Sequence, residues 1–194
     1  MKKLILIFLS SFIISCTNNN DKDEYYNDQS LYENNVLKDF ELFELANYYI
    51  NSDQFELALI ELDKIEVIYP SSPYANKSML VKAYIHFLEE DYEKTRALAE
   101  MYKKYYPGSK DIIYANYLDA MTYYVLIKKS DYSQENTNIA LEKFNFILNA
   151  YPNSKYEIDV ITKIKLINNN LAAEKLNIAK FYLDKGNMSG SLIY

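Results

Sequence analysis

Tyr69-Pro70-Ser71-Ser72, Tyr106-Pro107-Gly108-Ser109 and Tyr151-Pro152-Asn153-Ser154 are one string written three times, and their spacing decides the fold. The prolines stand 37 and 45 residues apart. From Val36 onward almost everything between them carries apolar residues at helical spacing. Proline lacks an N–H and clashes with the preceding turn, so each string closes a helix. Ser72 is placed to cap the next helix, with Pro73 at its first position, where a missing donor costs nothing. Ser154 followed by Glu157 predicts a capping box, and Asp53 followed by Glu56 an acidic helix start. These signals predict helix pairs at 37–51 and 54–69, 73–88 and 91–106, and 110–128 and 136–151. A last helix is predicted over 155–184, broken near Asn168-Asn169-Asn170.

A period near 34 residues, with proline closing the second helix, is the signature of tetratricopeptide repeats. Such repeats need small residues 24 and 12 positions before the proline, where two helices cross closely, and a larger apolar residue eight before it. For Pro70 these are Ala46, Ala58 and Leu62. For Pro107 they are Ala83, Thr95 and Ala99, and for Pro152 Ala140 and Phe144 fit. The longer third spacing is absorbed by a polar loop over 128–136. Ala179, Gly186 and Ser191 begin a fourth unit whose closing string does not appear before Tyr194. The predicted fold is all-α, a right-handed superhelical tetratricopeptide-repeat solenoid of about three and a half repeats over 36–194.

The N-terminus reads differently. Met1-Lys2-Lys3 is followed by 11 residues, Leu4 to Ile14, that are almost all apolar, then Ser15 and the only cysteine, Cys16. A charged start, a short apolar run and a small residue make a secretory signal. The run is too short to span a bilayer, which takes about 20 residues. Ile13-Ile14-Ser15-Cys16 looks like a bacterial lipobox, in which the thiol is acylated and becomes the new N-terminus. Residues 1–15 are therefore read as a lipoprotein signal peptide. The polar stretch 16–35, without apolar period, is read as a flexible tether.

Charge and composition exclude several functions. Removing Lys2 and Lys3 with the signal takes the net charge from −6 to −8. An acidic chain without a basic cluster does not suit nucleic acid or electrostatic docking on anionic lipid. Membrane attachment then falls to acyl chains, of which two hold stably and one does not. No cysteine remains for a disulfide. The single histidine, His86, stands at helical spacing among Tyr84, Ile85 and Phe87 and reads as a packing residue. With no second histidine, no spare cysteine and no glycine-rich phosphate loop, no metal, cofactor or catalytic constellation is expected. The 21 tyrosines read as fillers of helix seams. Binding, rather than catalysis, is the expectation.

Several strings resemble the BamD/ComL family of outer-membrane assembly lipoproteins. They are the lipobox, Tyr69 to Ala75, Tyr114-Ala115-Asn116-Tyr117-Leu118, Tyr151 to Tyr156, Leu171-Ala172-Ala173-Glu174, and Ala179 to Gly186. The resemblance covers roughly 36–194. Ala120 departs from a family glycine and Ser191 from a family alanine. The resemblance implies a lipid-anchored scaffold of the β-barrel assembly machinery, in the outer membrane and facing the periplasm. It implies two partners: unfolded barrel proteins, and the central barrel insertase through its periplasmic domains. The family makes the insertase contact through its C-terminal repeats, which this chain largely lacks. Thr17 after the cysteine is compatible with outer-membrane sorting.

Solenoids of this kind bind through the face lined by the first helix of each pair. Aligned on the prolines, that face includes Phe43, Asn47 and Ile50 in the first repeat and Leu80, Tyr84 and Phe87 in the second. Such a groove suits an extended or partly helical peptide with an aromatic end, and the resemblance implies the C-terminal signals of unfolded barrel proteins. The alternative function is a periplasmic repeat adaptor for cell-wall synthesis or division. Those proteins share Tyr-Pro-x-Ser strings but usually carry no lipid and begin with a coiled coil, and no heptads precede residue 36 here.

Overall fold

The computed structural model describes residues 37–129 and 134–193; the signal peptide, Cys16, the tether and the middle of the 128–136 loop lie outside them. Among the described residues there are eight helices and no strand. They are α1 (Asp39–Asn51), α2 (Phe55–Ile68), α3 (Pro73–Leu88), α4 (Tyr92–Tyr105), α5 (Ile112–Lys129), α6 (Gln134–Ala150), α7 (Glu157–Asp184) and α8 (Met188–Ser191). The chain divides into two compact units within α3, after Ala75.

In the first unit α1 packs on α2. Ala46, Ala58, Leu62 and Ile65 have no exposed surface, so the small residues found by spacing do sit where the helices approach. The string at its end is a tight turn: the Ser72 N–H donates to the Tyr69 carbonyl at 2.9 Å, and Pro70 stands between. The Ser72 hydroxyl oxygen accepts from the Tyr74 N–H at 3.0 Å, the cap that starts α3. The same hydroxyl donates to Asp39 at 2.5 Å, while the Tyr69 hydroxyl donates to the Leu37 carbonyl at 2.9 Å. Tyrosine and serine of the string thereby tie the end of α2 to the start of α1.

The second unit repeats the scheme. Ser109 donates its N–H to the Tyr106 carbonyl at 3.0 Å, and its hydroxyl lies 2.7 Å from that of Tyr102. Ala83, Thr95, Ala99, Ala120, Ala140 and Phe144 are fully buried. Thr95 fits a position meant for alanine because its hydroxyl donates to the Asp91 carbonyl at 2.8 Å. Leu80, Ala99, Tyr102 and Ala115 form one cluster, with Met79, Tyr106 and Tyr114 packed against it. At the far end, a Cβ on Gly190 would fall 2.8 Å from the Tyr182 ring and 2.9 Å from the Asn187 amide, so a larger residue there would force those side chains to move.

The turn inside the pairs recurs too. Asp53, Glu90 and Gly186 end their helices with φ of 57°, 66° and 72°. In each case the next residue donates back five positions along the chain: Gln54 to Tyr49, Asp91 to His86, and Asn187 to Tyr182, at 2.8, 2.9 and 2.9 Å. This is the left-handed helix stop that glycine favours. Glutamate there costs about 1 kcal/mol in backbone strain. Glu90→Gly is expected to raise the melting temperature by about 2–4 °C, read by circular dichroism. An unchanged or lower value would mean that Glu90 contributes more through its side chain than its backbone loses.

Four expectations need correction. Helix α7 runs unbroken through Asn168-Asn169-Asn170. Asparagine costs a helix only about 0.7 kcal/mol or less per residue, and buried Ile167 holds the segment down. Ser154 and Glu157 make no capping box: the cap is Tyr156, and the Ser154 hydroxyl is buried without a hydrogen-bond partner among the described residues. Asp53 does not start α2, because it occupies the left-handed turn and Gln54 takes the cap position. The 128–136 loop is shorter at both ends, since α5 reaches Lys129 and α6 begins at Gln134.

Candidate functional site

The six residues expected on the binding face are placed in two groups. In the first unit, Phe43 and Asn47 are half-buried, whereas Ile50 is buried. The Phe43 ring lies 5.2 Å from that of Tyr74 in a tilted contact. In the second unit Leu80, Tyr84 and Phe87 are all buried. Leu80 belongs to the cluster with Ala99, Tyr102 and Ala115, and Phe87 packs 5.7 Å from the Tyr92 ring. Phe43 and Asn47 are thus the members of the set with surface to offer. His86 lies 3.2 Å from Glu89 on the same helix.

Tyrosines carry the surroundings. Tyr156 stacks on Tyr117 at 4.7 Å and on Tyr114 at 6.1 Å, joining α5 to the start of α7. Tyr117 donates to Asp159 at 2.6 Å, and Lys163 donates to both oxygens of the same carboxylate, at 2.5 and 2.6 Å. The Tyr84 and Tyr114 hydroxyls are buried with no hydrogen-bond partner among the described residues. Burial pushes the Tyr84 phenol up to about 12. Burial likewise holds Tyr114, Tyr117 and Tyr156 well above the ordinary tyrosine range, with the Asp159 charge adding to the rise at Tyr117.

A phenol raised in the folded chain stays neutral while its unfolded counterpart ionises near pH 10. The stability these tyrosines supply is therefore whole below about pH 10 and lost as pH rises toward 12 and beyond. Alkaline titration is expected to show their tyrosinate absorbance appearing together with loss of helix. Smooth ionisation near pH 10 with helix intact would contradict the burial.

One cluster escaped the sequence reading. Asp119, with a side chain 3% exposed, accepts from Lys103 of α4 at 3.1 Å and from Lys143 of α6 at 2.8 Å. Thr122, fully buried, accepts from Arg96 at 3.3 Å. The Arg96 guanidinium and the Lys143 ammonium lie 5.0 and 5.5 Å from the Tyr123 ring centre. The signal was available: Asp119 is the only charged residue between Ile112 and Ile127, and Arg96 is the only arginine in the chain. Among the described residues no group of His, Cys, Asp or Glu is placed to hold a metal ion, and no helix is long and apolar enough to cross a membrane.

Helix pairs, two of them closed by the same turn, with small residues buried where the helices approach, define a helical-repeat protein. A family model described as "Outer membrane lipoprotein" (YfiO) matches residues 36–191, and the chain belongs to that family. Among curated proteins it is 33% identical over 138 residues to an outer membrane protein assembly factor BamD of Rickettsia prowazekii, covering 71% of this chain and 55% of that one. It is 30% identical over 123 residues to the BamD of Caulobacter vibrioides, covering 63% and 40%. The BamD of Pasteurella multocida matches over 193 residues at 24% identity, covering 94% and 70%. The chain thus spans about half the length of the first two of these relatives.

Proposed function

We propose that this chain is a lipid-anchored scaffold of the outer-membrane β-barrel assembly machinery, held at the outer membrane by Cys16 and facing the periplasm. The family match over residues 36–191 carries the reading, because its relatives are named outer membrane protein assembly factors. The described helices are the first turns of a right-handed tetratricopeptide superhelix of about three and a half repeats, whose first helices line the binding face. Its partners are unfolded barrel proteins and the periplasmic domains of the central insertase. Client segments meet Phe43 and Asn47 in the first unit, backed by Ile50, and in the second unit a face backed from beneath by Leu80, Tyr84 and Phe87, each set within its own unit. The half-buried Phe43 and Asn47 support direct contact, and the buried members support the backing of that surface.

Two experiments test this. Cys16→Ala should release the protein from membranes; continued firm association would remove the lipid anchor from the account. Crosslinking in native membranes, followed by purification and mass spectrometry, should recover a large barrel protein with periplasmic repeat domains. Recovery of peptidoglycan synthases or division proteins without a barrel would favour a cell-wall adaptor instead. For the binding face, Phe43→Ala with Asn47→Ala should weaken binding of a barrel C-terminal peptide at unchanged helix content.

A further inference from the structure

Helix α2 carries two apolar faces. Ala58, Leu62 and Ile65 are buried and close the pair with α1. Leu57, Ile60, Val67 and Ile68 stay exposed on a second face, Ile60 at 50% and Val67 at 79%. Leu57, Ile60, Lys64 and Ile68 stand at the i, i+3, i+7 and i+11 positions of one helical stripe, and Val67 flanks it. Lys64 is the one charge inside this stripe, and the buried Glu61 takes its ammonium on both carboxylate oxygens, at 2.7 and 2.8 Å. An apolar stripe whose cation is already neutralised is a surface for another apolar group rather than for water.

The chain itself brings a partner to this place. Leu37 is held by the Tyr69 hydroxyl, and Tyr69 follows Ile68 directly, so the residues before Leu37 leave from the C-terminal end of α2. Asp39 is fixed to the same end through Ser72. The sequence before Leu37 changes character at Tyr25. Thr17 to Glu24 holds no apolar residue, whereas 25–36 holds Tyr25, Tyr26, Leu31, Tyr32 and Val36. Reach is sufficient. The six residues from Leu37 back to Leu31 span up to about 20 Å, and Ile60 lies about 12 Å along the helix axis from Ile68. The twelve residues back to Tyr25 span up to about 40 Å, roughly twice the length of α2.

We propose that residues 25–36 return along α2 and cover Leu57, Ile60, Val67 and Ile68, with Leu31 and Tyr32 seated on Ile60 and Val67. Tyrosine suits such a seat, because its ring covers apolar surface while its hydroxyl stays in water. The docking takes twelve residues out of the tether. Eight residues, 17–24, then remain free between Cys16 and the folded body, and they span at most about 28 Å, against about 70 Å for 17–36. The docking rests on the first helix pair alone. The shorter reach to the membrane also rests on the lipid anchor proposed above, which Cys16→Ala tests separately.

The test is photo-crosslinking of the full-length protein in native membranes, with a benzophenone amino acid in place of Ile60 or, as a control, of Glu44. The probe at Ile60 should give an intramolecular product whose linked peptide lies within 25–36, and the probe at Glu44, exposed on α1, should not. Leu31→Ser with Tyr32→Ser should remove the product at unchanged helix content. Chymotrypsin gives a second reading. Ile60→Ser with Val67→Ser should speed cleavage after Tyr32 by about fivefold, because cleavage follows the undocked population. Both replaced side chains are exposed, so the α1–α2 pair keeps its core. Absence of the intramolecular product at Ile60, or a product with a second copy or another protein in its place, would overturn the docking. So would a cleavage rate that the stripe variant leaves unchanged.

Discussion

Phe144→Ala is expected to lower the melting temperature by roughly 10 °C, the largest effect of any single truncation in the second unit. Phe144 has no exposed surface and meets the Tyr124 ring edge-on at 5.9 Å. Removing a buried phenyl group costs its transfer free energy plus that of the cavity left behind, together about 3–5 kcal/mol. Ala140, one turn earlier on α6, is already a side chain of minimum size and has nothing to fill the hole with. Circular dichroism melting checks this, and Phe144→Leu, which keeps most of the volume, should recover much of the loss. A fall of only a degree or two with Phe144→Ala would mean that α6 shifts to fill the space.

Asp159→Ala is expected to cost about 2–3 kcal/mol, because it orphans two groups at once. Tyr117 would lose its 2.6 Å acceptor, and Lys163 would lose its only carboxylate partner among the described residues while 13% exposed. Lys163 also lies over the Tyr117 and Tyr124 rings at 5.7 and 5.6 Å, so its ammonium could not swing freely to water. Asp159 stands in the first turn of α7, where a negative charge meets unpaired backbone N–H groups, so its loss weakens the helix start as well. Tyr117→Phe removes one bond of the set and should cost about 1 kcal/mol. In the double variant the costs should fall short of their sum by about 1 kcal/mol, read by denaturant unfolding. Strict additivity would show that the hydroxyl and the carboxylate act independently.

What was legible in the sequence was local. Proline after tyrosine, Ser72 before Pro73, and alanines at fixed offsets each act within a few residues of the chain, and the helix pairs followed from them. Ser154 and Asp53 failed for a related reason: a capping residue and a residue that tolerates the left-handed turn are the same kinds of residue, and only the backbone path separates them. The 28-residue α7 was misread as broken because polarity was taken for a breaker, although no Gly or Pro lies inside it. On the binding face, helical periodicity could say that Leu80, Tyr84 and Phe87 share a side of α3. It could not say that this side is buried. The cation cluster was harder still, since Arg96, Asp119 and Lys143 are joined across three helices and no spacing rule links them.

The ties at the start of the chain have a mechanical side. Residues 37 and 39 are fastened to Tyr69 and Ser72, 32 and 33 positions further on. A pull arriving through the residues before Leu37 therefore does not unzip α1 one turn at a time. It loads the Tyr69–Ser72 turn at the same moment, so the first pair resists in shear, as a unit, and should yield at a higher force than a helix held only by its own end.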